Sequence, residues 1–389
     1  MSDPTHRIHV AMLVRNPYTH DTRVEKEART LIGAGYRVTI VADAAPGLAE
    51  HETRDEADVV RVPRGRMALP GVRFVSQQAR LARVLRDLRP DILHAHDSNA
   101  LVSVALAARS LGIPYVYDAH DLWLGRPRRE RSRLYFALNQ LYYALVERLL
   151  VRRAAATLTV SPPIADHLAR RYGLAEVALV PNYPEPPGRA HPRDIRALAG
   201  AEGLPADARV VLYVGGLMAG RGLEQLVDAA STVERAELVF LGDGVLAEPL
   251  RRRATASGTG ERVHVLTPVA SADVIDVAAS ADVGVSPIVP SCLNYRYSLP
   301  NKLFQYMAAG LPVVASDFPQ VRDVVEGAGC GVVVDTRLPA EIARGINALL
   351  ADPESARAMG ELGRRAVEER FNWATSARAL LDVYRRLIG

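Results

Sequence analysis

The 389-residue sequence predicts an α/β protein built from two doubly wound parallel-sheet domains in tandem. Strand-like apolar runs alternate with helix-like runs almost throughout, which is typical of β–α–β units and parallel sheets. Several strand-like runs are continuously apolar, as expected for strands that helices cover on both faces. A chain of this length exceeds the usual limit of one hydrophobic core and favours two domains of roughly 150–200 residues each.

The strands are predicted in two groups of six. Those of the first half are 8–14, 36–42, 91–96, 115–120, 157–161 and 177–182, and those of the second half are 209–215, 236–242, 263–268, 283–287, 312–316 and 331–335. Three helical patterns follow the last strand. The final one has no strand to pair with, so we expect it to cross back and pack on the first domain.

A proline-rich segment separates the two groups of strands. Five prolines fall within residues 180–194, and proline breaks both helices and strand ladders. We therefore predict a first domain at 1–183 together with a tail helix at 372–389, a linker at 184–194 and a second domain at 195–371. Open α/β sheets bind ligands beyond the carboxyl ends of their strands, so the expected site is a cleft that both domains face.

Two segments of the second domain each place one cation at a predicted helix start. Arg221 lies there in LYVGGLMAGRGLEQL, and Lys302 lies there in SLPNKLFQYMAAGLPVVAS. A helix N-terminus offers unpaired N–H groups and the positive end of a dipole, so it attracts anions. Two such ends with added cations suit a diphosphate and indicate an enzyme that uses a nucleotide-activated substrate.

Composition and simple motifs exclude several other classes. The excess of 48 basic over 44 acidic residues is too small to indicate nucleic-acid binding. Cys292 and Cys330 lack metal-ligand spacing and suggest a reducing compartment. No signal-peptide core and no apolar run of about 18 residues is present, so a cytoplasmic protein is expected. The first strand is not followed by G-x-G-x-x-G, which disfavours an NAD- or FAD-dependent dehydrogenase.

Nine segments, in order, resemble glycosyltransferase family 4, the retaining nucleotide-sugar transferases of GT-B architecture. They are HDTRVEKEARTLIGAGYRVTIVA, DILHAHD, YDAHDLW, VSPPIADHL, VPN, YVGGLMAGRGLEQLV, LVFLGDG, DVGVSP and NKLFQYMAAGLPVVAS. The resemblance implies two Rossmann-like domains, with a nucleotide-sugar such as a UDP- or GDP-sugar held mainly by the second and a hydroxyl acceptor held mainly by the first. It also implies transfer with retention of configuration, no cofactor and no metal ion, and the chain contains no Asp-x-Asp.

On the donor side the sequence departs from the family's pattern. The basic pair that holds the diphosphate in the family falls on Gly216 and Arg221, so Lys302 is the expected substitute for the missing cation. The family's paired glutamates fall on Tyr297 and Gln305. Gln305 retains hydrogen-bonding capacity for ribose hydroxyls, whereas Tyr297 is not an equivalent acceptor for the sugar. The remaining donor-side candidates are Gly215, Gly242, Gly244 and Asn301.

The first domain supplies candidates on the acceptor side. The resemblance places His120 against the donor sugar, where it would help to stabilise an oxocarbenium-like transition state; the alternative is a histidine satisfied by backbone at a strand end. His94 and His96 are assigned to opposite faces of their strand, which argues against a metal pair, and His94 is expected to be packed. The other candidates follow strand ends and are Asp21, Arg23, Asp97 and Asp121, with a helix N-cap as the alternative role for Asp21.

Two other functions remain open on this fold. The departures on the donor side fit a non-catalytic GT-B-like partner of an active transferase, and a nucleotide-sugar epimerase or phosphorylase would share the architecture. Retention of Arg221, Lys302 and His120 favours the transferase. The acceptor is left open between a lipid-linked glycan, a secondary metabolite and a small polyol.

Residues 126–153 introduce the alternative of membrane contact. The segment opens with five arginines in eight residues and continues with four aromatic side chains, Tyr135, Phe136, Tyr142 and Tyr143, a combination typical of peripheral membrane helices. Such contact would place the protein at the inner face of the membrane. The opposing interpretation is an ordinary domain helix that buries Leu134, Leu138, Leu141 and Leu145 on one face.

Overall fold

A computed structural model describes residues 7–65, 70–127, 132–185, 193–199 and 204–388. The chain divides into two compact units, the first made of Met1–Pro181 with Ser376–Gly389 and the second of Asn182–Thr375. The predicted linker therefore lies largely outside the described residues, as do Arg128, Arg129 and Arg131 of the predicted membrane segment.

The first unit contains an eight-stranded sheet. Its strands are β1 (His9–Leu13), β2 (Arg37–Asp43), β3 (His51–Arg54), β4 (Ala57–Val62), β5 (Ile92–His96), β6 (Tyr115–Ala119), β7 (Ala156–Thr159) and β8 (Ala178–Leu179). Their order is β3-β4-β2-β1-β5-β6-β7-β8. The helices are α1 (Thr22–Gly33), α2 (Pro70–Asp87), α3 (Ser98–Leu111), α4 (Arg133–Leu150) and α5 (Pro162–Tyr172).

The second unit contains a six-stranded sheet. Its strands are β9 (Val210–Val214), β10 (Glu237–Leu241), β11 (Val263–Leu266), β12 (Val283–Ser286), β13 (Val313–Ser316) and β14 (Gly331–Val334), in the order β11-β10-β9-β12-β13-β14. The helices are α6 (Ile195–Ala199), α7 (Leu223–Ala229), α8 (Ala247–Ala256), α9 (Val274–Ala278), α10 (Leu293–Tyr297), α11 (Asn301–Ala308), α12 (Pro319–Ala328), α13 (Pro339–Ala351) and α14 (Pro353–Glu369). The last helix is α15 (Trp373–Ile388).

These sheets confirm the predicted α/β class. Among the strand pairs that the described residues form, only β3 with β4 is antiparallel. In β9, Leu212 and Val214 face one hydrophobic core while Val211 and Tyr213 face the other, so the strand is covered on both sides. The connections reverse direction between β1 and β5 and between β9 and β12, and such switch points are where open sheets bind ligands.

Helix α15 returns to the first unit, as predicted. From Ser376 onward it belongs to that unit, and Tyr384 is fully buried there. The Tyr384 ring packs edge-on against Tyr36 at 5.7 Å between centroids, and its hydroxyl is 2.8 Å from Nδ1 of His94. Within the described ranges, every helix is too short or too polar to cross a membrane.

Candidate active site

Two glycines on either side of Arg221 allow the β9–α7 loop to pack closely on the segment after β12. Gly220 and Gly222 have φ angles of +82° and +72°. A Cβ atom would lie 2.5 Å from Tyr295 Cε2 at Gly220 and 1.7 Å from the Pro287 carbonyl oxygen at Gly222, so only glycine fits. The Arg221 guanidinium is thereby held over the Tyr295 ring, 5.1 Å from its centroid.

Lys302 is buried beneath the same loop. It is the second residue of α11, and the Tyr306 hydroxyl one turn later fixes this helix to the sheet by accepting from the Val214 N–H at 2.9 Å. Lys302 Nζ donates to the Tyr213 hydroxyl at 3.3 Å and lies 4.5 Å from the centre of that ring. A Cβ atom at Gly215 would be 3.5 Å from Nζ, so the ammonium contacts the loop directly.

Arg221 and Lys302 lie close enough for their charges to interact. Burial, and then the charge of Arg221, lower the pKa of Lys302 to about 7. No carboxylate in the described part of the chain forms an ion pair with Arg221 or Lys302. A group with a perturbed pKa and no internal counter-ion, at a sheet switch point, is a strong candidate for binding an external anion.

Gly242 and Gly244 have a packing role. A Cβ atom at Gly242 would lie 2.1 Å from the Gly215 oxygen, and one at Gly244, where φ is +154°, would lie 2.3 Å from the Leu217 oxygen. The Leu217 N–H also donates to the Asp243 carbonyl at 2.8 Å. These glycines therefore join the β9–α7 and β10–α8 loops, and their contact with nucleotide stays a prediction.

The other donor-side candidates lie on or near the same elements. Tyr297 is the last residue of α10, Asn301 is exposed at the start of α11, and Gln305 lies one turn further along, half-buried. Gly216 is exposed, and a Cβ atom there would meet nothing nearer than Met218 Cγ at 3.9 Å. Glycine is thus not required at 216 for steric reasons.

Sequence reasoning missed the two tyrosines beside the cations. Tyr295 begins the range 295–302 that follows a strand end, but no role follows for it or for Tyr213 from the sequence, because each lies in a segment that also contributes to the core. The available signal for Tyr213 was a single tyrosine in an aliphatic strand, one residue before the strand ends at a glycine-containing loop.

In the first unit, His120 follows β6 and joins a buried polar cluster. The strand register sets His96 opposite Asp118. His120 Nε2 is 2.9 Å from Asp118 Oδ2 and 3.0 Å from His96 Nδ1. Burial opposes the charged ring, but the charges of Asp118 and Asp97 outweigh it and raise the pKa of His120 to about 9.

Arg23 is the buried counter-ion of this cluster, and its predicted contact with the acceptor is wrong. Its Nη2 and Nε donate to the two carboxylate oxygens of Asp118 at 2.8 and 2.9 Å, and Nε lies 3.0 Å from Glu27 Oε1. The side chain is only 4% exposed. Helix α1 directs Arg23 inward, where its charge compensates the buried, ionised carboxylate of Asp118.

The assignment of His94 and His96 to opposite faces is also wrong. Side chains two residues apart on a strand share a face, and the two rings stack at 4.2 Å between centroids. Glu27, His94, His96 and Asp118 bring ligand atoms of the type that binds metals within 4.8 Å of one another. Arg23 already places a cation against both carboxylates, so we assign no metal ion to this cluster.

The remaining acceptor-side aspartates have structural partners. Asp21 caps α1 by accepting from the Val24 N–H at 3.3 Å, which is the alternative role named for it. Arg126 bridges Asp97 and Asp121 at 3.2 and 2.8 Å. Asp97 also has a φ of +64°, and such strain in a residue other than glycine concentrates at functional sites. Substrate contact by these residues stays a prediction.

Comparison with known proteins identifies the family. Residues 21–183 match the model of Glycosyltransferase Family 4, and residues 208–352 match that of Glycosyl transferases group 1. Alpha-maltose-1-phosphate synthase of Mycolicibacterium smegmatis is 28% identical over 319 residues, which are 76% of this chain and 79% of that protein.

Solved structures share the fold over nearly the whole chain. Sucrose-phosphate synthase of Thermosynechococcus elongatus superposes with a TM-score of 0.82 at 20% identity, covering 98% of this chain and 99% of that one. Anabaena HepE in complex with UDP-glucose gives a TM-score of 0.77 at 18% identity, with 98% and 100% covered. Both halves of the sequence match in order, and the chain belongs to glycosyltransferase family 4.

Proposed function

We propose that this glycosyltransferase is retaining and metal-independent and takes its sugar from a nucleotide-sugar. The observation that carries this is the pair Arg221 and Lys302, two adjacent cations to which the described residues offer no carboxylate. A diphosphate would supply the missing negative charge, and the free N–H groups at the start of α11 would add donors. HepE, which has a similar fold, was solved with UDP-glucose, and this supports a UDP-sugar as donor.

This arrangement needs little proton transfer by the protein. In retaining transfer the leaving phosphate oxygen is on the same face as the incoming hydroxyl and takes its proton. Arg221 and Lys302 would stabilise the negative charge that develops on the leaving diphosphate. His120 would donate a hydrogen bond to a sugar hydroxyl while Asp118 balances the charge of its ring.

Kinetics of point variants test the assignment. Arg221→Ala and Lys302→Ala should each lower the rate of sugar transfer or donor hydrolysis by about 10²–10³ while the fold is retained. Arg252→Ala removes an exposed arginine of the same unit and serves as the control. Wild-type rates from either site variant would contradict the proposal. A protein that binds nucleotide-sugars but neither transfers nor hydrolyses them would be the non-catalytic partner.

Chelation tests the metal independence. Activity should survive an excess of EDTA, because fixed cations occupy the position where a divalent ion would neutralise the diphosphate. Loss of activity on chelation, with recovery on adding magnesium or manganese, would contradict it.

We also propose that α4 contacts a membrane surface. The opposing interpretation, in which Leu134, Leu138, Leu141 and Leu145 are buried, is contradicted by their exposure. These four leucines and Leu149, here called the leucine ridge, are 52–69% exposed. The opposite side of α4 faces inward instead. Tyr143 and Glu147 are buried there, and the Glu147 carboxylate accepts from the hydroxyls of Ser98 and Tyr172.

The charges around the ridge favour an anionic lipid surface as its occupant. Residues 126–153 contain eight arginines and two glutamates, and Glu147 is buried. Arg133, Arg148 and Arg152 are exposed on or beside α4. Each arginine near anionic lipid contributes about 1 kcal/mol, and each half-buried leucine adds about as much. Of the four predicted interfacial aromatics only Tyr135 is exposed, so the leucines provide most of the apolar contact.

Liposome sedimentation tests this contact. The protein should bind vesicles that contain anionic phospholipid more strongly than neutral ones, and more strongly at low salt. Leu138→Gln with Leu145→Gln should weaken binding, whereas the control Leu362→Gln removes a 46% exposed leucine of the second unit and should not. Equal binding by wild type and the ridge variant, or a ridge-dependent dimer without lipid, would contradict membrane contact.

A further inference from the structure

One ring nitrogen of His120 contacts the buried cluster, and the other is available to bind a substrate. Nε2 contacts Asp118 and His96, while the residues that the structure describes provide no partner for Nδ1. The ring is 20% exposed although Asp118 beneath it is fully buried. A neutral imidazole with its proton on Nε2 accepts at Nδ1, whereas an imidazolium donates there. Its protonation state therefore determines which substrate atom it binds.

We propose that Asp118, clamped by Arg23, is a positioning residue that keeps His120 an imidazolium, with Nε2–H directed at Asp118 and Nδ1–H left to donate to a substrate oxygen. The geometry fits this division of roles. Arg23 engages both oxygens of Asp118, at 2.8 and 2.9 Å, which prevents the carboxylate from rotating. The His120 backbone N–H is fixed separately by Asp97 at 3.2 Å.

The surroundings of His120 contain charges from several elements. These groups are Arg23 and Glu27 on α1, His94 and His96 on β5, Asp97 at the start of α3, Asp118 on β6, Arg126 in the loop that follows and Asp21 before α1. Burial lowers the pKa of both His94 and His96, so they are neutral neighbours. Burial also raises the pKa of Glu27 to about 8, which leaves Asp118 as the ionised carboxylate in contact with His120.

The substrate role of Nδ1 rests on the proposed sugar transfer, but the charge of His120 is measured without activity. In NMR spectra of the histidine-labelled protein, the His120 signal, assigned by its loss in His120→Gln, should titrate well above pH 7. In Asp118→Asn the midpoint should fall by about one to three pH units, because an ionised partner at this distance has an effect of that size. In Arg23→Gln it should rise, because Arg23 opposes the ring's charge.

The pH profile of activity supplies the second readout. At saturating donor, where the bound diphosphate keeps Lys302 charged, loss of kcat on the alkaline side should move to lower pH in Asp118→Asn and to higher pH in Arg23→Gln. The control Asp58→Asn, which removes an exposed carboxylate of the same unit, should leave the pH of this alkaline loss unchanged. A wild-type midpoint below pH 7, or one unmoved by a folded variant, would overturn the proposal. If neither variant folds, the wild-type titration alone decides. A high midpoint in a protein without transferase activity would uphold the positioning role and refute the proposed function.

Discussion

Lys302 is a buried ammonium beside a second cation, and the residues described here include no carboxylate to neutralise it. Burial and Arg221 lower its pKa to about 7, whereas an unfolded chain would hold the proton up to a much higher pH. Between these two values the unfolded state binds more protons, so raising the pH through this range stabilises the fold. Folding alone thus favours the neutral form of Lys302, whereas binding of a diphosphate favours the charged form.

Nucleotide affinity should therefore depend on pH. As the pH rises through about 7, UDP binding should weaken by up to about tenfold per unit, because binding then requires Lys302 to take up a proton. Calorimetry in buffers of different ionisation enthalpy measures both the affinity and the proton uptake. Arginine at this position stays charged throughout, so Lys302→Arg should remove the pH dependence of UDP affinity that the titration of Lys302 causes. A wild-type affinity that is constant from pH 6 to 9 would contradict this.

Gly216 offers a second test at the residue scale. Since a Cβ atom at 216 would meet nothing nearer than Met218 Cγ at 3.9 Å and the position is exposed, Gly216→Arg should fold normally. It should also restore part of the UDP affinity that Lys302→Ala loses, because it returns a cation to the loop beside Arg221. Titration of the double variant against Lys302→Ala alone measures this, and equal affinities would leave the compensation unsupported.

The sequence allows the roles of some site residues to be predicted better than those of others. Arg221 and Lys302 could be proposed from the sequence because a cation at a helix start is a local pattern, and their contact with a diphosphate stays a prediction. Arg23 was misassigned because its partner Asp118 is 95 positions away, and a sequence pattern does not show which buried carboxylates need a counter-ion. The assignment of His94 and His96 to opposite faces was an error of strand geometry, because side chains alternate with a period of two and residues two apart share a face.

At the scale of elements, apolar runs predicted twelve of the fourteen strands that the structure describes, and the two omitted strands, β3 and β4, form a hairpin. Its connecting residues, Asp55 and Glu56, both have positive φ, at +50° and +66°. Hairpin turns of that kind are recognised by Asn-Gly or Asp-Gly, so two acidic residues gave no signal. The leucines of α4 were likewise found as a stripe, but periodicity does not tell which side of a helix is buried.

In the β9–α7 loop, substitution of alanine for glycine should be far more damaging at Gly222 than at Gly216. Gly222→Ala forces a Cβ atom against the Pro287 oxygen at a positive φ, so it should lower the free energy of unfolding by about 1–3 kcal/mol or more and weaken UDP binding by displacing Arg221. Gly216→Ala, in the same loop, should change neither. Chemical denaturation and UDP titration of both variants provide the comparison, and equal behaviour of the two would contradict it.

At the scale of the whole molecule, the first unit is completed by the end of the chain. Tyr384 of α15 bonds to His94 inside the histidine cluster of that unit. Tyr384→Phe should lower the free energy of unfolding by about 1–3 kcal/mol, because His94 Nδ1 is left buried without its partner. Tyr135→Phe, at a 48% exposed position, is the control. A Tyr384→Phe variant as stable as wild type would show that this hydrogen bond contributes nothing.

The return of α15 also has a consequence for synthesis on the ribosome. The first unit emerges up to Pro181, but its final segment begins at Ser376, after the entire second unit has been translated. At typical translation rates of about 5–20 residues per second, this leaves an interval of roughly 10–40 seconds. During that time the face of the first unit that Tyr384 will cover is open to water and to chaperones. The part of the protein that is made first is therefore the last to be finished.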